Sequence, residues 1–162
     1  MITIFDDPDE SEYVGPPVGK DMILRAEAVL GFRLPSSYVE LIRVQNGGVL
    51  RNRCFPTSFP NSWAQDHICV DAIWGLGGEW GIDAVSSYMI NEWGYPDIGV
   101  VFGITPSAGP DTVMLDYSES GPEGEPAVSY VDEDRVPRRI AGSFSEFISG
   151  LVSCRRYGEE AD

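Results

Sequence analysis

The chain has 162 residues, 43% apolar and 23% charged, the size and balance of one globular domain that buries roughly 70% of its unfolded surface. Its net charge is −15, a field that repels nucleic-acid phosphates and anionic lipid and attracts basic partners. No apolar run approaches the ~20 residues of a bilayer-spanning helix, and the opening MITIFDDPDESEY lacks the basic n-region and apolar core of a secretory leader.

Residues 1–19 are acidic and then rich in proline and glycine, and are expected as an arm leading into the fold. A helix over 20–30 follows from the spacing of Met22, Ile23, Ala26, Val29 and Leu30, with Gly31 as its stop. Ser37 and Glu40 suggest a capping box for a second helix, whose apolar face is Tyr38, Leu41, Ile42 and Val44. Asn46-Gly47-Gly48 supplies residues that tolerate positive φ and is expected to cap that helix. Strands are expected over 49–55, 67–73, 99–104, 112–116 and 128–131, with turn residues between them; 84–93 reads either as a short helix capped by Asp83 or as a further strand. A last helix over 143–152 starts at Ser143 with Glu146 three residues on, and buries Phe144, Phe147, Ile148 and Leu151. Helices at both ends and strands between give an α+β fold with an antiparallel-dominated sheet of about five or six strands. Two N-terminal helices and one C-terminal helix pack on it. The domain is expected over 20–153, with 154–162 as a tail.

Familiar catalytic patterns are missing. Gly75-Leu-Gly77-Gly78-Glu79-Trp80-Gly81 fails the dinucleotide fingerprint, because Trp80 holds the last glycine's place and Glu79 opposes a pyrophosphate. His67 is the only imidazole and reads as a structural or surface residue within a strand. Asp132-Glu133-Asp134 lacks the spacing and glycine of a calcium loop. Cys54, Cys69 and Cys154 have no C-x-x-C spacing; they read as reduced core thiols of a cytoplasmic protein and argue against a structural zinc site. The expectation is no enzyme, metal or cofactor.

The placement of charge is more telling than its size. Residues 54–134 carry 14 acids and not one Lys or Arg. Trp63, Trp74, Trp80 and Trp93 all lie in or beside the loops of that segment. Such tryptophans are either lids over the core or exposed anchors, and aromatic rings amid carboxylates suit Arg- and Lys-rich surfaces. The expected partner-binding residues are Asp66, Asp71, Trp74, Glu79, Trp80, Asp83, Glu92, Trp93 and Asp97.

The order of segments resembles a known family. Glu27-Ala-Val-Leu-Gly31-Phe-Arg-Leu34-Pro35-Ser-Ser-Tyr38, then Leu41-Ile42 and Asn46-Gly47-Gly48, is similar to the opening of the SUKH superfamily. That superfamily groups fungal cell-wall assembly regulators of the Smi/Knr type with bacterial immunity proteins. Asp111-Thr-Val-Met-Leu115-Asp116 looks like its G-D-x-[IV]-x-[LF]-D pattern, with Pro110 where the family more often has Gly. Ser143-Phe-Ser-Glu-Phe147-Ile148 looks like its closing helix. The motif residues Glu27, Gly31, Leu34, Pro35, Asn46, Gly47, Gly48, Asp111 and Asp116 read as structural. The resemblance implies a non-enzymatic protein-binding module, monomeric or weakly dimeric. Its leading role is an immunity protein that neutralises a polymorphic, nuclease-like toxin with a basic surface. A regulatory or scaffolding module for endogenous proteins is the alternative, and a small-molecule or glycan binder is a third.

Overall fold

The computed structural model describes residues 4–158. Helix α1 (Lys20–Leu30) ends at Gly31 in the left-handed conformation, and α2 (Ser36–Val44) follows after a short corner. The strands are β1 (Gly48–Val49), β2 (Cys54–Pro56), β3 (His67–Cys69) and β4 (Ala72–Ile73), then, after α3 (Ile82–Trp93), β5 (Gly99–Ile104), β6 (Thr112–Asp116), β7 (Ala127–Val131) and β8 (Pro137–Ala141). Helix α4 (Phe144–Gly150) and a 3-10 turn (Cys154–Tyr157) close the chain. Six strands form one antiparallel sheet in the order β1-β4-β5-β6-β7-β8, and β2 and β3 form a separate two-stranded ribbon.

Strands β5, β6 and β7 are buried almost from end to end, the signature of a sheet centre covered on both faces. Helix α3 packs on β5 and α1 on α3, while α4 packs against β2, β7, β8 and α2. Phe102 of β5 meets Phe144 and Phe147 of α4 edge to face at 5.5 and 5.6 Å, a geometry that adds quadrupole attraction to the area buried. Ser143 accepts from Glu146 N–H at 3.1 Å, so the expected serine cap forms, and Glu146 accepts from Gly142 N–H, one residue before the cap, at 2.7 Å.

Several expectations are corrected. The stretches 49–55 and 67–73 are each two strands, because the chain crosses from the large sheet to the ribbon at 50–53 and back at 70–71. Strand β8 is an additional edge strand, opening with a proline as edges allow. Pro35, not a serine, is the N-cap of α2, with no side-chain cap. Its C-cap is Gln45 in extended geometry, and the positive φ falls only on Gly47 and Gly48. Val29 and Val44 lie on the solvent faces of their helices.

Both ends of the described segment are built into the fold. Phe5 is buried and bridges Leu50. Asp6 N–H donates to Val49 O at 3.0 Å and Arg51 N–H to Ile4 O at 2.8 Å, so the expected arm covers the β1 edge; residues 1–3 lie outside the described residues. At the other end, Cys54 and Cys154 form a disulfide, not the expected pair of reduced thiols. Reciprocal backbone bonds between Cys54 and Val152, 2.8 and 3.1 Å, deliver Cys154 to 5.2 Å Cα–Cα from its partner. The remainder of the expected tail, 159–162, lies outside the described residues. No described helix is long and apolar enough to cross a membrane.

Candidate functional site

Asn46 is the organising residue. Its side chain is buried, and its Nδ2 donates to Pro16 O at 2.6 Å and Leu76 O at 2.8 Å, while its Oδ1 accepts from Leu76 N–H at 2.8 Å. Its own carbonyl accepts from Gly15 N–H at 2.8 Å. One amide thus ties together residues 15–16, the α2–β1 turn and the glycine loop after β4. The approach is close enough that a Cβ on Gly75 would strike Asn46 Oδ1. Gly47, at φ 86°, would place a Cβ 2.7 Å from Tyr13 O, which explains why this loop cluster needs glycine on both sides. Asp9 completes the attachment, accepting from Val49 N–H at 2.8 Å and Ser11 N–H at 3.0 Å.

This clamp shapes a cleft of about 140 Å³ lined by Glu12, Tyr13, Pro16, Gly77, Glu79 and Trp80 among others. Tyr13 and Trp80 meet edge to face at 5.4 Å, and Trp80 stacks on Trp74 at 6.1 Å. Glu12 and Glu79 are exposed at the mouth, and no Lys or Arg is among the lining residues. Asp83 stands behind the loop, accepting from Gly77 N–H at 3.0 Å. The Tyr13 hydroxyl is held above its ordinary range by burial first and then by the negative charges of Glu12 and Asp71. An aromatic pair and two carboxylates at one opening suit an ammonium or guanidinium group.

The expected site residues divide into groups. Glu79 and Trp80 line this cleft, and Asp83 supports its loop from behind without lining it. Asp71 is half-buried, its carboxyl raised by burial against the lowering effect of Arg53. Glu92, Trp93 and Asp97 sit at the far end of α3, roughly 16 Å along a helix of this length at ~1.5 Å per residue. Asp66 is on the ribbon, 2.9 Å from His67 Nδ1. Trp74 is 1% exposed and its carbonyl accepts from Tyr38 Oη at 2.7 Å; it supports the core and cannot touch a partner. Sequence reasoning missed Glu12 and Tyr13, whose only signal was an aromatic among acids in a proline-glycine segment.

The remaining family-motif residues are structural in detail. Glu27 accepts from Leu34 N–H at 2.8 Å, fixing the α1–α2 corner where Leu34 and Pro35 are buried. Asp111 is buried and accepts from Thr105 at 2.5 Å, Trp63 Nε1 at 2.9 Å, Ser107 and Tyr130. Asp116 accepts from Ser118 N–H at 2.9 Å and Ser129 Oγ at 2.7 Å. Pro110 is accommodated, its carbonyl taking a bond from Arg135. A larger cleft, about 460 Å³, lies over β6–β8, but there Arg139 pairs with Glu119 at 3.3 Å, so its carboxylates already face a cation.

The fold and the cleft define an α+β module that presents a clamped loop cluster at one edge of an antiparallel sheet. The model of the SMI1 / KNR4 family (SUKH-1) matches residues 17–150, most of the chain. The chain belongs to this family, within the SUKH superfamily. No curated protein and no solved structure matches it.

Proposed function

We propose that the chain is a non-enzymatic immunity protein that binds a basic toxin domain, nuclease-like in its charge, and occludes it. The observation that carries this reading is the cleft itself: Tyr13 and Trp80 rings flanked by Glu12 and Glu79, with no cation in the lining. A partner's Arg or Lys packs against this aromatic pair at the cleft mouth and pairs with the carboxylates, while the acids of 54–134 raise the encounter rate. Family membership supports a protein-binding role, immune or regulatory. At about 140 Å³ the cleft is smaller than the ~300–1,000 Å³ typical of small-molecule sites, which favours a protruding side chain over a glycan. The protein acts as a monomer or weak dimer in the cytoplasm, a reducing setting for Cys54 and Cys154.

The test is capture of the partner from the native host, followed by growth of cells co-expressing that partner with the parent chain or with Trp80→Ala. A basic, toxic partner whose toxicity the parent suppresses and Trp80→Ala suppresses poorly is the expected result. A partner that is acidic, or non-toxic, contradicts the reading.

A further inference from the structure

We propose that Cys54, Cys69 and Cys154 form a three-thiolate site for one soft metal ion of the cuprous type, open when the chain is reduced and closed when Cys54 and Cys154 are joined. The three sulfurs belong to β2, β3 and the C-terminal 3-10 turn, yet all lie within 4.8 Å of one another. A disulfide uses two sulfurs, and the convergence of a third from a separate strand is what a metal requires.

Besides the Cys54–Cys154 bond, backbone hydrogen bonds hold together the elements that carry the three cysteines. Thr57 N–H donates to Asp66 O at 2.9 Å and Val70 N–H to Arg53 O at 2.7 Å. That pattern makes Cys54 and Cys69, which are register partners, a non-hydrogen-bonded pair, the kind whose side chains lie closest. On its other side Cys54 exchanges two backbone bonds with Val152, two residues before Cys154. Reduction therefore leaves three thiols already gathered, which lowers the ordering cost of binding. Cys54 and Cys154 are buried and Cys69 is half-buried, so an ion enters from the Cys69 side.

The ligand set selects the ion. Thiolates favour Cu(I) and Zn(II) among first-row metals, but structural zinc takes four protein ligands. Among the described residues the group is three sulfurs, with no His, Asp or Glu completing it. Three thiolates and no fourth donor fit Cu(I). The chemistry balances with a dithiol as reductant: it gives two electrons and two protons to the Cys54–Cys154 bond and leaves as its own disulfide. Cu(I) then binds without changing oxidation state and displaces the thiol protons. Cys54 and Cys69 lie within the family-matched residues 17–150 and Cys154 lies beyond them.

The test uses the full chain, reduced anaerobically with a dithiol, desalted, and titrated with Cu(I) held by a colorimetric chelator. Expected are one ion per chain, a thiolate-to-copper charge-transfer band, and protection of all three cysteines from iodoacetamide. The oxidised chain takes up none. Cys69→Ser keeps the Cys54–Cys154 pair and weakens uptake by about tenfold or more. The proposal is overturned if the reduced, folded chain cannot take copper from the chelator, or if Cys69→Ser binds as tightly as the parent. If Cys69→Ser does not fold, thiol protection in the parent decides, and three alkylated cysteines in the presence of copper overturn it equally.

Discussion

Replacing Asn46 by Ala removes one small amide and leaves three backbone groups to find new partners: Leu76 O and Leu76 N–H, which are buried, and Pro16 O at the exposed side. A net hydrogen bond contributes about 0.5–1.5 kcal/mol, and an orphaned buried group costs about 1–3 kcal/mol. Three such losses, eased by some water entry at the Pro16 side, come to roughly 3–4 kcal/mol. That is a large share of the ~5–15 kcal/mol that holds a domain together. Urea unfolding followed by tryptophan fluorescence reads the loss directly, since Trp74 and Trp80 stack beside the clamp. With a slope near ~2 kcal/mol/M, the midpoint falls by about 1.5–2 M and the slope is unchanged. Gly75→Ala, which drives a methyl into Asn46 Oδ1, lowers it as well, by a different route. A midpoint shift below about 0.5 M for Asn46→Ala, under ~1 kcal/mol on the same slope, refutes the idea that this amide holds the loop cluster together.

Asp71→Asn is expected to stabilise the protein at pH 7. Burial raises the Asp71 carboxyl in the folded state, so its protonation favours folding at low pH. That contribution is lost as pH rises from the unfolded value of 3.8 through the raised folded value. The gain from Asn therefore disappears in melts below pH 3.8, and a gain of equal size at pH 3 and pH 7 argues against the burial account. Tyr38, Tyr95 and Tyr117 are all raised above the ordinary 10.0, chiefly by burial. Their contribution is full below pH 10.0 and lost above it, so phenolate absorbance should appear together with loss of the circular dichroism signal, not before it. Gly109→Ala places a methyl inside the Trp93 indole; overpacking of about 2 kcal/mol lowers Tm by about 4–8 °C in calorimetry, and an unchanged Tm shows that the ring moves away freely.

Strands β5 and β6 were legible to the residue because each is a continuous apolar run between turn residues, and α1 because Gly31 stops a clean periodic face. The alternation in 67–73 was equally good, yet alternation does not say which sheet a residue joins, and the chain changes sheets at Val70. Strand β8 was hidden by Pro137, Arg138 and Arg139, polar because the strand is an exposed edge. Half of the cleft could be read: Glu79 and Trp80 stood out as an acid and an aromatic in a glycine loop. The other half, Glu12 and Tyr13, arrives through Asn46, whose partners are 30 residues away on either side. Trp74 and Trp80 have the same chemistry and neighbouring positions, and only packing separates a core ring from a cleft ring. The Cys54–Cys154 link spans 100 residues and rests on strand pairing that no local pattern announces.

The central claim is that the Tyr13–Trp80 cleft takes a basic group from a protein partner, and stopped-flow association with the captured partner tests it most directly. Raising salt from ~50 to ~500 mM shortens the screening length below ~10 Å and should slow association far more than it speeds dissociation. Glu12→Gln with Glu79→Gln should slow association at low salt and leave folding intact, since exposed charges contribute little to stability. Trp80→Ala should instead speed dissociation by about 5–30-fold, the equivalent of a cation–π contact of about 1–2 kcal/mol. An association rate indifferent to salt and to both glutamates, with a dissociation rate indifferent to Trp80, contradicts the account.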